Sequence, residues 1–177
     1  MNTFVALFRG INVGGHNMLP MRELKDILAG IGLQDIATYI QSGNVVFTAE
    51  QTDTAVLSQT IREAVAHSHG FAPQVLLLTA EELAQAAAAN PYPEAGDEPK
   101  TVHLYFLEEA PSNPDLKKLA ALKLDNEHFM LINKVFYLYA PDGIGRSKLA
   151  AGVEKALGVA VTARNWRSVG KILEMVQ

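Results

Sequence analysis

Two successive series of apolar segments, each in the order β-α-β-β-α-β, constrain this chain more than any other feature of its sequence. In the first series, Thr3 to Phe8 is apolar on both faces (Phe4, Ala6, Phe8 and Val5, Leu7), which predicts a strand in the middle of a sheet. Pro20 suits the first turn of a helix. Met21, Leu24, Ile27, Leu28 and Ile31 then recur at helical spacing, up to the stop signals Gly30 and Gly32. Ile36–Gln41 and Asn44–Thr48 read as strands on either side of Ser42-Gly43, a tight hairpin. A second helix over Asp53–His69 follows on Leu57, Ile61 and Val65, ended by Gly70, and Gln74–Leu78 is a fourth strand. Thr79-Ala80-Glu81-Glu82 reads as a capping box opening an alanine-rich helix to Asn90.

Pro91 to Pro99 holds three prolines, a glycine and three acids in nine residues, which marks a boundary. The second series begins with a strand at Thr101–Leu107. Pro111-Ser112-Asn113-Pro114 announces a helix to about Leu122, and Glu127–Ile132 pairs with Val135–Tyr139 across Asn133-Lys134. Ser147–Leu157 is a helix ended by Gly158, Val159–Thr162 a short strand, and Asn165–Val176 a last helix with Trp166, Val169, Ile172, Leu173 and Val176 on one stripe. The expected fold is α+β: two ferredoxin-like (α/β-plait) domains in tandem, over 1–90 and 101–177, joined by a linker at 91–100, with the C-terminal helix in the second domain. No residue-level repeat accompanies the repeated order.

The order also says where polar residues meet. A right-handed crossover makes strands one and two of a domain parallel. The first loop and the hairpin therefore share one end of the sheet, and Arg9, Asn12, His16 and Asn17 lie beside Gln41, Ser42 and Asn44. The loop Arg9–Met18 carries three glycines and two asparagines, costly to order and longer than a turn requires. Ser-Gly-Asn alone is equally good turn chemistry, so the functional reading rests on the convergence. In the second domain the equivalent end offers only Leu107, Glu108 and Asn133. The opposite end brings Pro141–Lys148 to Arg164-Asn165-Trp166-Arg167, where Arg146, Ser147, Lys148, Arg164 and Asn165 could hold an anion at a helix N-terminus. The same residues also read as a capped helix with solvated cations, and Trp166 as core. The two clusters make one site if the domains dock with those ends facing.

Composition narrows the classes. Hydrophobic residues at 49% and charged ones at 19% predict a packed core, and a net charge of −4 argues against coating duplex DNA. Residues 1–90 hold four Lys/Arg against eight Asp/Glu, and residues 141–177 hold six against three. The absence of cysteine excludes disulfides, thiolate ligands and a cysteine nucleophile. With no secretory n-region and no apolar run near the roughly 20 residues of a membrane span, a cytoplasmic, membrane-free protein is expected. His67-x-His69 lacks a third ligand, so no metal is implied. Gly10-x-x-x-Gly14-Gly15 is not the dinucleotide fingerprint, nor is Gly143-x-Gly145-Arg146-Ser147-Lys148 a phosphate-binding P-loop, so no cofactor is implied. Neither loop pairs carboxylates for glycoside chemistry. His16 has the chemistry of a general base, and equally of a histidine that hydrogen-bonds its own loop; no nucleophile stands beside it.

Four blocks carry a family resemblance: Phe8-Arg9-Gly10-Ile11-Asn12-Val13-Gly14-Gly15-His16, Tyr39-Ile40-Gln41-Ser42-Gly43-Asn44-Val45-Val46-Phe47, Gly145-Arg146-Ser147-Lys148-Leu149 and Thr162-Ala163-Arg164-Asn165-Trp166. With them the chain resembles the bacterial family called domain of unknown function 1697 over nearly its whole length. The resemblance implies two small α/β-plait domains and no particular activity. From the residues themselves, the expected ligand is a small anionic, phosphorylated molecule. A single-stranded nucleic-acid binder is the alternative, with Phe4, Phe8, Tyr39, Phe47, Phe106, Phe136, Tyr137 and Tyr139 as stacking platforms. A structural module, homodimeric through its edge strands, is a third reading.

Overall fold

The computed structural model describes residues 1–177. Five consecutive residues of β1 (Asn2–Arg9), Phe4 to Phe8, are buried, as expected of a strand apolar on both faces. β1 lies between β3 (Asn44–Ala49) and β4 (Gln74–Thr79), with β2 (Gln34–Tyr39) outside β3, giving the order β2-β3-β1-β4 with every pairing antiparallel. β1 and β2 both oppose β3 and so run parallel to each other. Between the strands, α1 (Met21–Gly30) and α2 (Thr54–His69) lay Leu24, Leu28, Leu57, Ile61 and Val65 on Phe4, Ala6, Phe8, Val45 and Phe47. Each fully buried side chain of this size contributes about 1.5–3 kcal/mol. The Asp53 carboxylate caps α2 by accepting from the amides of Ala55 and Val56. The capping box forms as expected: Thr79 N donates to Glu82 Oε2 at 2.8 Å and Glu82 N to Thr79 Oγ1 at 3.0 Å, opening α3 (Ala80–Ala88).

The second sheet has the order β6-β7-β5-β8, again antiparallel throughout, from β5 (Val102–Leu107), β6 (His128–Ile132), β7 (Val135–Tyr139) and β8 (Val161–Asn165). α4 (Leu116–Leu122) and α5 (Lys148–Leu157) pack Leu119, Leu149, Val153 and Leu157 on Tyr105, Leu107, Phe136 and Leu138. A sixth helix, α6 (Trp166–Met175), closes the chain. The molecule is thus a mixed α+β fold of two four-stranded antiparallel sheets and six helices. It divides into two compact units, Met1–Gln85 with Lys171–Gln177, and Ala86–Gly170. No helix is long and apolar enough to cross a membrane.

Several expected boundaries move. Pro20 caps α1 from an extended conformation instead of entering its first turn. α4 starts only at Leu116, because the Asp115 side chain caps it by accepting from Lys118 N. The proline-rich stretch holds two short 3-10 turns, Pro93–Gly96 and Pro99–Thr101. The largest correction concerns β8, expected at Val159–Thr162 and observed at Val161–Asn165. Pairing with β5 from Leu107↔Val161 to His103↔Asn165 carries the strand through Arg164 and Asn165, so the last helix starts at Trp166 and not at Asn165.

Candidate functional site

The end of β1 and the β2–β3 turn meet as the topology requires. Phe8 N donates to Gly43 O at 2.9 Å, and Asn12 fastens the rest. Its Nδ2 donates to Gln41 O at 2.8 Å and to Leu19 O at 2.9 Å, while Oδ1 accepts from Leu19 N at 2.6 Å. Asn12 N donates to Asn17 O, His16 N to Val13 O, and Asn17 Nδ2 to Gly10 O. Asn44, fully buried, donates to Tyr39 O at 2.9 Å and to Ser42 Oγ at 3.2 Å. Asn12, Asn17 and Asn44 therefore build the two loops. Gly43 joins them most tightly: its φ is +87°, and a Cβ there would stand 2.6 Å from Phe8 Cβ and 2.8 Å from Ile11 Cδ1.

What this frame displays is cationic and rich in donors. Arg9, Gly14, Gly15, His16 and Ser42 are exposed around the locked crossing. The amides of Gly14 and Gly15, both at positive φ, donate to no acceptor within the chain. Seven residues of the two loops have positive φ: Gly10, Asn12, Gly14, Gly15, Asn17, Ile40 and Gly43. Such a concentration of uncommon backbone conformations is typical of ligand clamps.

The second cluster is used differently. Ser147 caps α5 by accepting from Ala150 N at 3.0 Å, and its hydroxyl donates to Glu127 Oε2 at 2.6 Å. Glu127 is 2% exposed and also accepts from Leu124 N. Asn165 Oδ1 accepts from Ser168 N at 2.9 Å at the start of α6. Arg164 stands on β8 opposite Leu104, and its Nη1 donates to Ala163 O; burial pushes its guanidinium down to about 10, leaving it charged at neutral pH. Arg164 and Asn165, being consecutive on a strand, point to opposite faces of the sheet. Only Arg146 and Lys148 of this cluster are exposed. Of the five expected ligand groups, Arg146 and Lys148 are exposed, while Ser147 bonds Glu127 and Ala150 and Asn165 bonds Ser168.

Three features escaped sequence analysis. Glu127 meets Ser147 twenty residues away, a pairing no local pattern announces. His103 sits on β5 between Leu138 and Asn165 at 9% exposure, its Nδ1 without a partner, and burial pulls its pKa down to about 4. A cleft of about 470 Å³ in the second unit is lined by Glu98, Pro99, Lys100, Thr101 and Arg167. Of the eight aromatics considered as stacking platforms, Phe4, Phe8, Phe47, Phe106, Phe136 and Tyr137 are at most 1% exposed, which keeps them from bases. Tyr139 stacks instead on His128, with ring centres 6.1 Å apart. No group of three or more His, Cys, Asp and Glu is gathered to hold a metal ion.

The family model described as protein of unknown function (DUF1697) matches residues 1–137. No curated protein matches the chain. Among solved structures, the conserved bacterial protein SP0830 from Streptococcus pneumoniae is similar, at 24% identity and a TM-score of 0.69, over 99% of each chain. That likeness is one of fold.

Proposed function

The chain belongs to the DUF1697 family of proteins of unknown function, and we propose that it binds a small phosphorylated molecule at the pole of its first unit. On this reading Arg9 supplies a guanidinium fork for phosphate oxygens, Gly14 and Gly15 supply backbone donors, and His16 and Ser42 flank them. The observation that carries the reading is the Asn12 clamp: three side-chain hydrogen bonds at 2.6–2.9 Å hold a glycine-rich loop against a turn, with Gly14 and Gly15 left exposed. Fixing the donors in advance lowers the entropic cost of binding. Arg146 and Lys148, both exposed, offer an anion contact in the second unit. We also read each unit as a ferredoxin-like plait, supported by the β-α-β-β-α-β order and by the matching strand orders of the two sheets.

A thermal-shift series with inorganic phosphate, sugar phosphates, nucleotides and a short oligonucleotide tests this. A ligand at about 100 times its Kd stabilises by roughly 2.7 kcal/mol, a rise of several degrees in Tm for a chain of this size. The rise should vanish in Arg9→Ala. If no phosphorylated compound moves the wild-type Tm, the reading fails. If only the oligonucleotide does, the ligand is a nucleic acid.

A further inference from the structure

The pole proposed to hold phosphate also carries exposed apolar side chains. Val13 is 64% exposed, Met18 54% and Ile40 51%, three of the eight large hydrophobic side chains the protein leaves exposed. Of the other five, Met1, Val56, Leu116, Leu124 and Met130, no two are sequence neighbours of one hydrogen-bonded crossing. These three are: Asn12 N donates to Asn17 O, Asn12 Nδ2 donates to Gln41 O, and Val13, Met18 and Ile40 are the residues next to those three. Single exposed apolar residues need no explanation, whereas three gathered on one hydrogen-bonded crossing do.

Ile40 sharpens the point. It occupies the left-handed region at φ +51°, where a β-branched residue is a genuine outlier. Glycine or asparagine would hold that turn at less cost. With half its surface in water, Ile40 is not repaid by burial in the core. Its side chain is thrown outward beside Gln41, at the junction of the two loops.

We infer that the phosphate bound at this pole is a monoester carrying an apolar group, which Val13, Met18 and Ile40 cover while Arg9 and the Gly14–Gly15 amides hold the phosphate. The inference rests on the function proposed above and narrows its ligand class: inorganic phosphate and simple sugar phosphates fill only half the site. Met18 is unbranched and adaptable, suited to closing over an apolar ring of imperfect fit.

Isothermal titration of the full chain with 1-naphthyl phosphate, ribose 5-phosphate, inorganic phosphate and 1-naphthol tests it, for wild type, Ile40→Ser and Ile40→Gly. Naphthyl phosphate should bind at least tenfold more tightly than either ribose 5-phosphate or inorganic phosphate, since removing about 55 Å² of apolar surface from water gives a tenfold gain. Ile40→Ser should shrink that advantage, the ratio of naphthyl phosphate to inorganic phosphate affinity falling severalfold. Ile40→Gly should do the same while keeping or raising Tm, because glycine relieves the strain, so the loss cannot be charged to unfolding. Equal binding of all three phosphates overturns the inference and leaves the proposed function standing. Binding of 1-naphthol as tight as that of its phosphate overturns it too, by making the pole purely apolar. If nothing binds, the proposed function falls and the inference with it.

Discussion

In the first unit, the chain between β1 and α1 runs from Gly10 to Pro20, and five of its residues have positive φ. In the second unit, the equivalent connection from β5 to α4 runs from Glu108 to Asp115, and none of its residues do. Both sheets have the same strand order, so topology does not demand the longer, strained route. Both units spend Asn and Ser side chains on their own backbones: Asn12 and Asn44 in one, Ser147 and Asn165 in the other. In the first unit, that internal bonding leaves the amides of Gly14 and Gly15 without an acceptor in the chain. In the second, it finishes a helix and a strand. Polar residues at the end of a sheet therefore mark a site only when something remains after the backbone has been satisfied.

The largest test of this contrast sets one glycine from each unit side by side. Gly43→Ala must place a Cβ 2.6 Å from Phe8 Cβ at a φ of +87°. Left-handed strain of about 1–2 kcal/mol and overpacking of about 1–3 kcal/mol add to a loss near 4 kcal/mol. Gly145→Ala meets nothing within 4 Å and carries no positive φ, so urea unfolding should leave it close to wild type. Equal effects at the two positions would show that the first crossing is no tighter than the second.

How much of this was legible follows from where each signal lies. Apolar strands and helix stripes state their own period, so Phe4–Phe8, Leu57-Ile61-Val65 and the Thr79–Glu82 box are read directly from spacing. The meeting of the end of β1 with the Ser42–Gly43 turn is legible too, because crossover handedness fixes it without any contact being known. Arg164 falls outside the expected strand and Asn165 in the expected last helix, since two polar residues at a strand end carry no strand pattern until their pairing with Leu104 and His103 is seen. That Ser147 is already occupied depends on Glu127, a partner set by tertiary packing alone. The exposure of Val13, Met18 and Ile40 is hidden for the same reason: they look like ordinary core residues in a sequence.

A second test exploits a group with no counterpart in the first unit. His103 is buried without a partner for Nδ1, and burial lowers its pKa from 6.5 to about 4. The unfolded chain therefore takes up the proton first as pH falls. The neutral ring's contribution is whole above pH 6.5, declines between 6.5 and 4, and is constant below that, a total of roughly 3 kcal/mol. Chemical denaturation from pH 7.5 to 4 should show this slope in the second unit's transition, and His103→Leu should flatten it. An unchanged slope in His103→Leu would assign the acid sensitivity to other groups.

The smallest effects divide the second cluster residue by residue. Ser147→Ala removes the α5 cap and leaves Glu127 Oε2 buried without its 2.6 Å donor, a combined cost of about 2 kcal/mol. Arg146→Ala, one residue earlier and exposed, should keep Tm within about 2 °C of wild type. If the cluster were a ligand site of the kind proposed for the first unit's pole, the ranking would invert in binding: Arg146→Ala would lose affinity, and Ser147→Ala would matter only through folding. Measuring Tm with and without inorganic phosphate for both variants separates the two roles. A phosphate-dependent shift lost only in Arg146→Ala would make the helix start a functional anion contact. A shift that neither variant alters would leave Arg146 as a solvated cation and return the whole response to the loops around Arg9.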